Sequence, residues 1–432
     1  MSIFKRRKTV NTGDDELVAP NNTEDTEKEP ITGLYDDEDT PTVNKRYKAA
    51  ASVTGILKFT VLAVFFMFFM VMTLAYSSEI NIENFRYIIK DMNFRLPVSA
   101  EDYGDIYYIS DLEHSFALYR GDFVSVGKSR LDIIDMAGKT VQSTELGYVR
   151  PRISVSEKYL LVYDLSNNEF SVYSSFSPLY SETLDYPISC AKINDNGYFL
   201  IVSKDTEYKS VVTVYNSDMK KVYHYKSNDS YVCDVIFNND GTFTLYTVCV
   251  KNGSFYSQIV SGDIRSEEKG ILYSRENTAF ISAKQSEGAC VSVLCEDSVM
   301  FFDGGTLLSE YGYFPQTCRR FEANEGYTAA VFSTGEAGAD SYLCVFDKNG
   351  EVICTEPATS DIQKLYINDG CVYQLYTDRI KKTDLNNLKT YVHITGHDVN
   401  ALVFVNTEVV LLASPSKAYP VSVYDGFKEE TK

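Results

Sequence analysis

Tryptophan is missing from this chain of 432 residues, proline is scarce at 11, histidine occurs only four times, and no cysteine precedes Cys190. Each shortage excludes something. With His114, His224, His393 and His397 as the whole supply, a nucleophilic triad has few bases to draw on. The nine cysteines form no CxxC pair and no zinc-ligand spacing, and most lie in apolar runs such as TLYTVCV and SYLCVFD, where Cys serves as a small hydrophobe. Positive charge is short as well: 41 Lys and Arg against 60 Asp and Glu leave a formal net charge of −19. Nucleic acid is bound through clustered Lys and Arg that release counterions, so this balance argues against it as a partner.

Aromatic residues of another kind are plentiful, with 33 Tyr and 25 Phe. Together with Val and Ile they favour the pleated, half-buried surface of strands. A turn motif then recurs eight times at intervals of about 41 residues, within the 40 to 50 that marks propeller repeats. Its copies are Ile134-Asp135, Tyr173-Ser174, Tyr215-Asn216, Gly262-Asp263, Phe302-Asp303, Phe346-Asp347, Thr383-Asp384 and Tyr424-Asp425. All but the last precede a second strand-like run, as in VFDKNGEVICT. Asp or Asn followed by Gly is hairpin chemistry, because the short side chain bonds nearby backbone and Gly accepts positive φ.

A tight hairpin at that period predicts an all-β protein, an eight-bladed β-propeller with one sheet per repeat. Units begin near Phe116, Ile153, Lys192, Val235, Ile281, Leu365 and Leu402, and the sixth reads RRFEAN, YTAAVFST, SYLCVFD, EVICTEP. Seven blades follow instead if the irregular fourth unit, with its SGDIRSEEKG insertion, forms no sheet of its own. The eighth unit has three strands, while an unmatched strand DIYYIS (Asp105 to Ser110) precedes the first. The spare strand is expected to complete the last blade and close the ring, which removes exposed edges.

Four segments result: 1–58, a polar tail; 59–76, a membrane span; 77–100, a juxtamembrane helix; and 101–426, the propeller. The tail has nine basic and eleven acidic residues and no apolar periodicity, so it is expected to be disordered. Thr26 and Thr40 stand beside acidic residues, a pattern that phosphorylation and a cytoplasmic partner can use, although a solvated tail is the simpler reading. The 18 residues FTVLAVFFMFFMVMTLAY at 59–76 carry no charge and cover about 27 Å as a helix, so they are read as a transmembrane helix. Lys45, Arg46, Lys48 and Lys58 precede the span, and Glu79 and Glu83 follow it. The positive-inside rule then places the N-terminus in the cytoplasm and the propeller outside the cell membrane. Ile82, Phe85, Ile88, Ile89 and Met92 fall at helical spacing beyond it.

Units such as VCDVIFNNDG (232–241) and ISCAKINDNG (188–197) resemble the inner strands of WD40-like and quinoprotein-like repeats. TGHD at 395–398 and YD at 424–425 resemble fragments of WD40 signatures. The whole layout resembles an uncharacterised clostridial family of single-pass membrane proteins, a domain of unknown function. That resemblance implies an envelope protein and adds nothing about chemistry.

Quinoprotein dehydrogenases brace their blades with repeated Trp and bind a quinone through further Trp. Where those residues would stand, the outer strands here end in Tyr180, Tyr223, Tyr273 or Tyr391. No cofactor and no enzyme activity are therefore expected. HITGHD offers His393, His397 and Asp398, but Gly396 favours a turn over a metal site. A three-residue loop at Lys348-Asn349-Gly350 would set Cys344 opposite Cys354, as a cross-strand disulfide requires, while an odd total of nine argues for free thiols. Reading the innermost strand starts in register gives Arg150 and Arg152, Lys192, Arg319 and Arg320, and Lys364. Of these, Arg152, Lys192, Arg320 and Lys364 are the candidate ligand- or partner-binding residues, a basic ring in an ectodomain of net −17. The alternative is that each pairs with a carboxylate between blades. The expected role is a non-catalytic scaffold that binds envelope proteins through the propeller face; a receptor for a glycan or other small ligand is the alternative.

Overall fold

The computed structural model describes residues 45–75, 103–111, 113–175, 177–334, 341–396 and 398–430. Two compact units divide at Asn81 and Ile82. The first contains α1 (Lys45–Ala75), within which Ala49–Leu74 is apolar and wholly unburied. Those 26 residues rise about 39 Å, more than the ~30 Å hydrocarbon layer, so the helix is long and apolar enough to cross a membrane. Thr54, Thr60 and Thr73 donate their hydroxyls to the carbonyls of Ala50, Ile56 and Phe69 at 2.8, 2.9 and 3.0 Å, so these polar groups need no outside partner. The helix begins at Lys45, not at 59. Ala49, Ala50 and Ala51 propagate it backwards into the segment expected to be disordered. The rest of that tail, with Thr26 and Thr40, and the amphipathic helix expected within 77–100 lie outside the described residues.

The second unit contains eight antiparallel sheets. Blades 1 to 6 run Ser115–Glu145, Pro151–Thr183, Ile188–Ser227, Tyr231–Glu276, Phe280–Gly312 and Thr317–Ala358, each with four strands in sequence order. Blade 7 (Lys364–Ile394) and blade 8 (Ala401–Ser422) supply four and three strands of their own. The fourth unit does form its own sheet, so there are eight blades. Ile106–Tyr107 pairs with the third strand of blade 8 and completes it, as the spare strand predicted. One addition was not foreseen: the chain turns back after blade 8, and Lys428–Glu429 adds a fifth strand to blade 7.

Eight hydrophobic clusters fill the eight interfaces between consecutive blades, the last joining blade 8 to blade 1. Second strands such as Asp122–Val126, Leu160–Asp164 and Val409–Ala413 are buried along their whole length, because both faces of each sheet are covered. Outer strands alternate, as in Thr306–Gly312, since their second face meets water. Tyrosine braces the outer strands against their neighbours. Tyr180 packs on Tyr215 at 6.4 Å, Tyr223 on Phe243 at 5.3 Å, Tyr273 on Phe302 at 5.0 Å and Tyr311 on Phe346 at 4.9 Å, each a ring of one outer strand against the following blade.

The recurring turn closes the hairpin between third and fourth strands. Oδ1 of Asp135 accepts the amides of Ala137 and Lys139 at 3.0 and 2.9 Å, Asn216 does the same for Asp218 and Lys220 at 3.1 and 2.9 Å, and Asp347 for Asn349 and Glu351 at 2.9 and 2.8 Å. Gly350 has a φ of 84°, and a Cβ there would overlap the Phe301 ring and Ser309 Oγ of blade 5. The eighth copy, Tyr424-Asp425, lies in the turn leading back to blade 7.

The hairpin of blade 6 has a bulge between Val345 and Phe346 that sets Cys354 opposite Val345 and Cys344 opposite Thr355. Neighbours along a strand point to opposite faces, so the two thiols belong to different interfaces and are not bridged. All nine cysteines are free.

Candidate functional site

Inner strands begin at one end of the ring, and the connections between second and third strands open at that same end. Arg152 pairs with Tyr163, Arg320 with Val331 and Lys364 with Leu375. Each stands four residue pairs back from its inner hairpin turn, so the three share one level. Ser115, Asp234 and Ala401 occupy it in blades 1, 4 and 8.

A cavity of about 760 Å³ is lined at this level by Arg152, Arg320 and Lys364, with Glu113, Gln363 and Asn400 among the other polar groups. Blades 2 and 6 are opposite each other in a ring of eight, so a cavity that touches both lies on the axis. Arg320 donates Nε to the Gln363 carbonyl and Nη1 to that of Arg319 at 2.8 Å, and Arg152 donates Nη1 to the Pro151 carbonyl at 2.9 Å. Among the described residues, none of the three cations forms a salt bridge with a carboxylate. Lys364 touches water yet is surrounded by protein; burial first, then the charges of Arg152 and Arg320, hold its ammonium below the ordinary lysine range.

Two carboxylates reach the chamber. Glu322 is held by Lys284, whose Nζ donates to both its oxygens at 2.8 Å, and Glu113 stands exposed. Asp234, on the same level, accepts the Ser282 hydroxyl at 3.0 Å and the Ala283 amide at 3.1 Å, tying blade 4 to blade 5. At the wall, His114 accepts the Asp111 amide on Nε2 at 2.8 Å, lies 3.2 Å from Ser125 Oγ through Nδ1 and stacks on Phe116 at 5.3 Å. Burial lowers its pKa against the pull of Asp111 and Asp132, and Nε2, which accepts an amide, serves as a hydrogen-bond acceptor in the wall.

Of the residues read from the sequence, the structure brings Arg152, Arg320 and Lys364 together and places Lys192 elsewhere. Blade 3 carries a bulge between Ile188 and Cys190, and its hairpin is closed by Asn194 and Tyr198 with one more loop residue than in blade 2. Cys190 therefore sits level with Arg152. Lys192 stands two residues, about 6.6 Å, further along the axis, in a smaller cavity of about 260 Å³ with Asp234 and Lys284. Arg150 and Arg319 are exposed beside the chamber and do not line it. Gln363, Asn400 and the Lys284–Glu322 pair went unrecognised, because polar residues at strand starts become neighbours only once the ring's register is known.

His393 is taken up by the returning chain. Its Nδ1 lies 2.7 Å from the Gly426 carbonyl and its ring packs against Phe427 at 5.4 Å. His397 lies outside the described residues, and among the described residues no cluster suited to a metal ion occurs.

Blade 4 is longer than its neighbours. Its second, third and fourth strands have ten, ten and eleven residues, whereas second and third strands elsewhere have five to seven. Beyond the level of Arg152 its second strand continues to Lys251, about four residues or 13 Å further than that of blade 2. The projecting hairpin exposes Val250 (62%) and Phe255 (44%), paired across its tip, at the same end as exposed Tyr231 and Ile281.

A family model described as "Family of unknown function (DUF5711)" matches residues 102–419. Among curated proteins none matches. Solved structures show the fold: BamB from Moraxella catarrhalis is similar at 9% identity and a TM-score of 0.52, covering 74% of this chain and 98% of that one. The C-terminal WD40 domain of Sif2 is similar at 12% identity and a TM-score of 0.50, over 74% and 99%. A eukaryotic initiation factor is similar at 12% and 0.52, over 77% and 91%.

Proposed function

The chain belongs to the DUF5711 family, and since that family has no assigned function we propose from the geometry that it is a membrane-anchored, extracytoplasmic propeller acting as a non-catalytic scaffold for envelope proteins. The observation that carries this reading is the projecting hairpin of blade 4. A rigid closed ring holds it, and its tip spends exposed Val250 and Phe255 where a soluble surface would place polar residues. Recognition by such a surface needs no catalytic group. The basic flank of α1 against the acidic residues that follow supports an N-terminus in the cytoplasm and the ring outside. The tail then has access to a cytoplasmic partner.

In-cell crosslinking and capture of the full chain tests the scaffold. A V250S/F255S variant is expected to lose the stoichiometric envelope protein that the native chain retains, with an unchanged melting temperature. Undiminished capture by the folded variant overturns the reading. Protease added to intact protoplasts is expected to remove the propeller, and its survival reverses the orientation.

A further inference from the structure

We propose that the axial chamber binds a small multivalent anion, a molecule of roughly monosaccharide to tricarboxylate size bearing two or more carboxylate or phosphate negative charges. Arg152, Arg320 and Lys364 would provide the counter-charge. This site is independent of the blade 4 hairpin and stands whether or not that hairpin docks a partner.

Three observations support it. Three cations from blades 2, 6 and 7 converge on one level in a chain whose net charge is −19. They are left facing one another: of the two carboxylates that reach the chamber, Glu322 is committed to Lys284, and Glu113 stands exposed and, among the described residues, forms no salt bridge with any of the three. Second, both guanidinium groups are tethered by backbone carbonyls, yet a guanidinium has five N–H donors, so each keeps donors unspent and already oriented. Third, the volume of about 760 Å³ is within the range of small-ligand sites, and Gln363 and Asn400 add neutral donors and acceptors to the charged ones. An anion placed among the three would replace their mutual repulsion with paired, partly desolvated contacts, which are the stronger kind of hydrogen bond. Polyvalency follows from the count: one unit charge cannot neutralise three.

Calorimetry on the full chain in neutral detergent at low ionic strength tests the site with citrate, glucose 6-phosphate and uncharged glucose. Citrate and glucose 6-phosphate are both expected to bind in one-to-one stoichiometry and glucose not to bind. Affinity is expected to fall as salt is raised. Loss of one charged contact is worth about 1.4 kcal/mol or more, so R320Q and K364Q are each expected to weaken the better anion about tenfold. Lys364→Arg, which keeps the charge, should retain most of the affinity, and R319Q, outside the chamber, all of it. No binding of either anion by the native chain at millimolar concentration overturns the proposal. So does equal binding by the folded R152Q/R320Q/K364Q variant, and so does a loss in R319Q as large as in R320Q. None of these outcomes bears on capture through Val250 and Phe255.

Discussion

Ile106 stands directly opposite Ala418, the first strand of the propeller against the last blade, and both side chains are fully buried. Tyr108 extends the join by donating its hydroxyl to the Ser414 carbonyl at 2.5 Å, and Lys417 reaches Asp105 at 3.6 Å. Two paired residues thus close a ring of eight sheets. Truncating Ile106 to Ala removes buried methyl groups from the blade 8–blade 1 cluster and is expected to cost about 2–5 kcal/mol. Tyr107 points outward at 67% exposure, so Tyr107→Ala should stay within about 0.5 kcal/mol. Urea unfolding of the two variants checks this; equal effects would show that the join is not where the ring is held.

The closure was legible because counting alone reveals it: one unit lacks a strand and one strand lacks a unit. The Asx turns were legible for the same reason, since Asp or Asn must sit where its oxygen meets amides two and four residues on. Register was not. The loop residue added to the blade 3 hairpin and the bulge at Val345 set the register of Lys192 and Cys354 in ways that no residue type announces. The first takes Lys192 off the level of the other three cations, and the second removes the face-to-face placement that a Cys344–Cys354 bridge required, leaving the free thiols that the odd total favoured. The fifth strand of blade 7 was hidden for another reason: Lys428–Glu429 is polar, and only its docking on Tyr391 and Val392 makes it a strand.

Glu182 of blade 2 accepts hydroxyls from Tyr180 at 2.7 Å and from Tyr215 of blade 3 at 2.9 Å, and is salt-bridged to Lys221 at 2.7 Å. Burial pushes its carboxyl up, but the Lys221 ammonium and the two hydroxyls outweigh it, and the pKa is held below the ordinary 4.5. A depressed folded pKa contributes stability above the unfolded value, and that contribution is lost as the pH falls through the folded one. Glu182→Gln should therefore lower the melting temperature at pH 7, and the gap to the native chain should narrow from about pH 4.5 downwards. A gap that stays constant to pH 3 would show that the charge of Glu182 does not matter. On the alkaline side Tyr180 is pushed up to about 12 by burial and by Glu182, so its contribution is present below 10 and fades as the pH rises towards 12.

Thiol chemistry should follow burial. Burial pushes Cys190 and Cys318 up to about 12 and Cys233 and Cys354 up to about 11, so little thiolate exists near neutrality. Titration with a chromogenic disulfide at pH 8 is expected to be slow in the native chain and to count nine thiols once it is unfolded. Reductant should leave the melting temperature unchanged. Seven thiols after unfolding, restored to nine by reductant, would reveal a bridge.

Lys382 is buried in blade 7, with its Nζ 3.2 Å from the Val423 carbonyl and 5.3 to 6.0 Å from the ring centres of Tyr373, Tyr391, Tyr424 and Phe427. Two of those rings and the carbonyl belong to the returning C-terminal segment, so the ammonium fastens the segment to the sheet. Cation–π attraction is worth about 2 kcal/mol or more when water is excluded, as it is here. Lys382→Met keeps the stem and removes the charge, and is expected to release the segment without unfolding the ring: limited proteolysis should cut between Val423 and Glu430 at least tenfold faster, while the far-ultraviolet spectrum holds. Phe427→Ala should release the same segment, and the double variant should lose less than the sum of the two, because each removes part of one contact. Additive losses would mean that Lys382 and Phe427 hold the segment separately, and an unchanged cleavage rate in Lys382→Met would mean that apolar packing and the Lys389–Glu429 pair at 2.9 Å suffice to hold it.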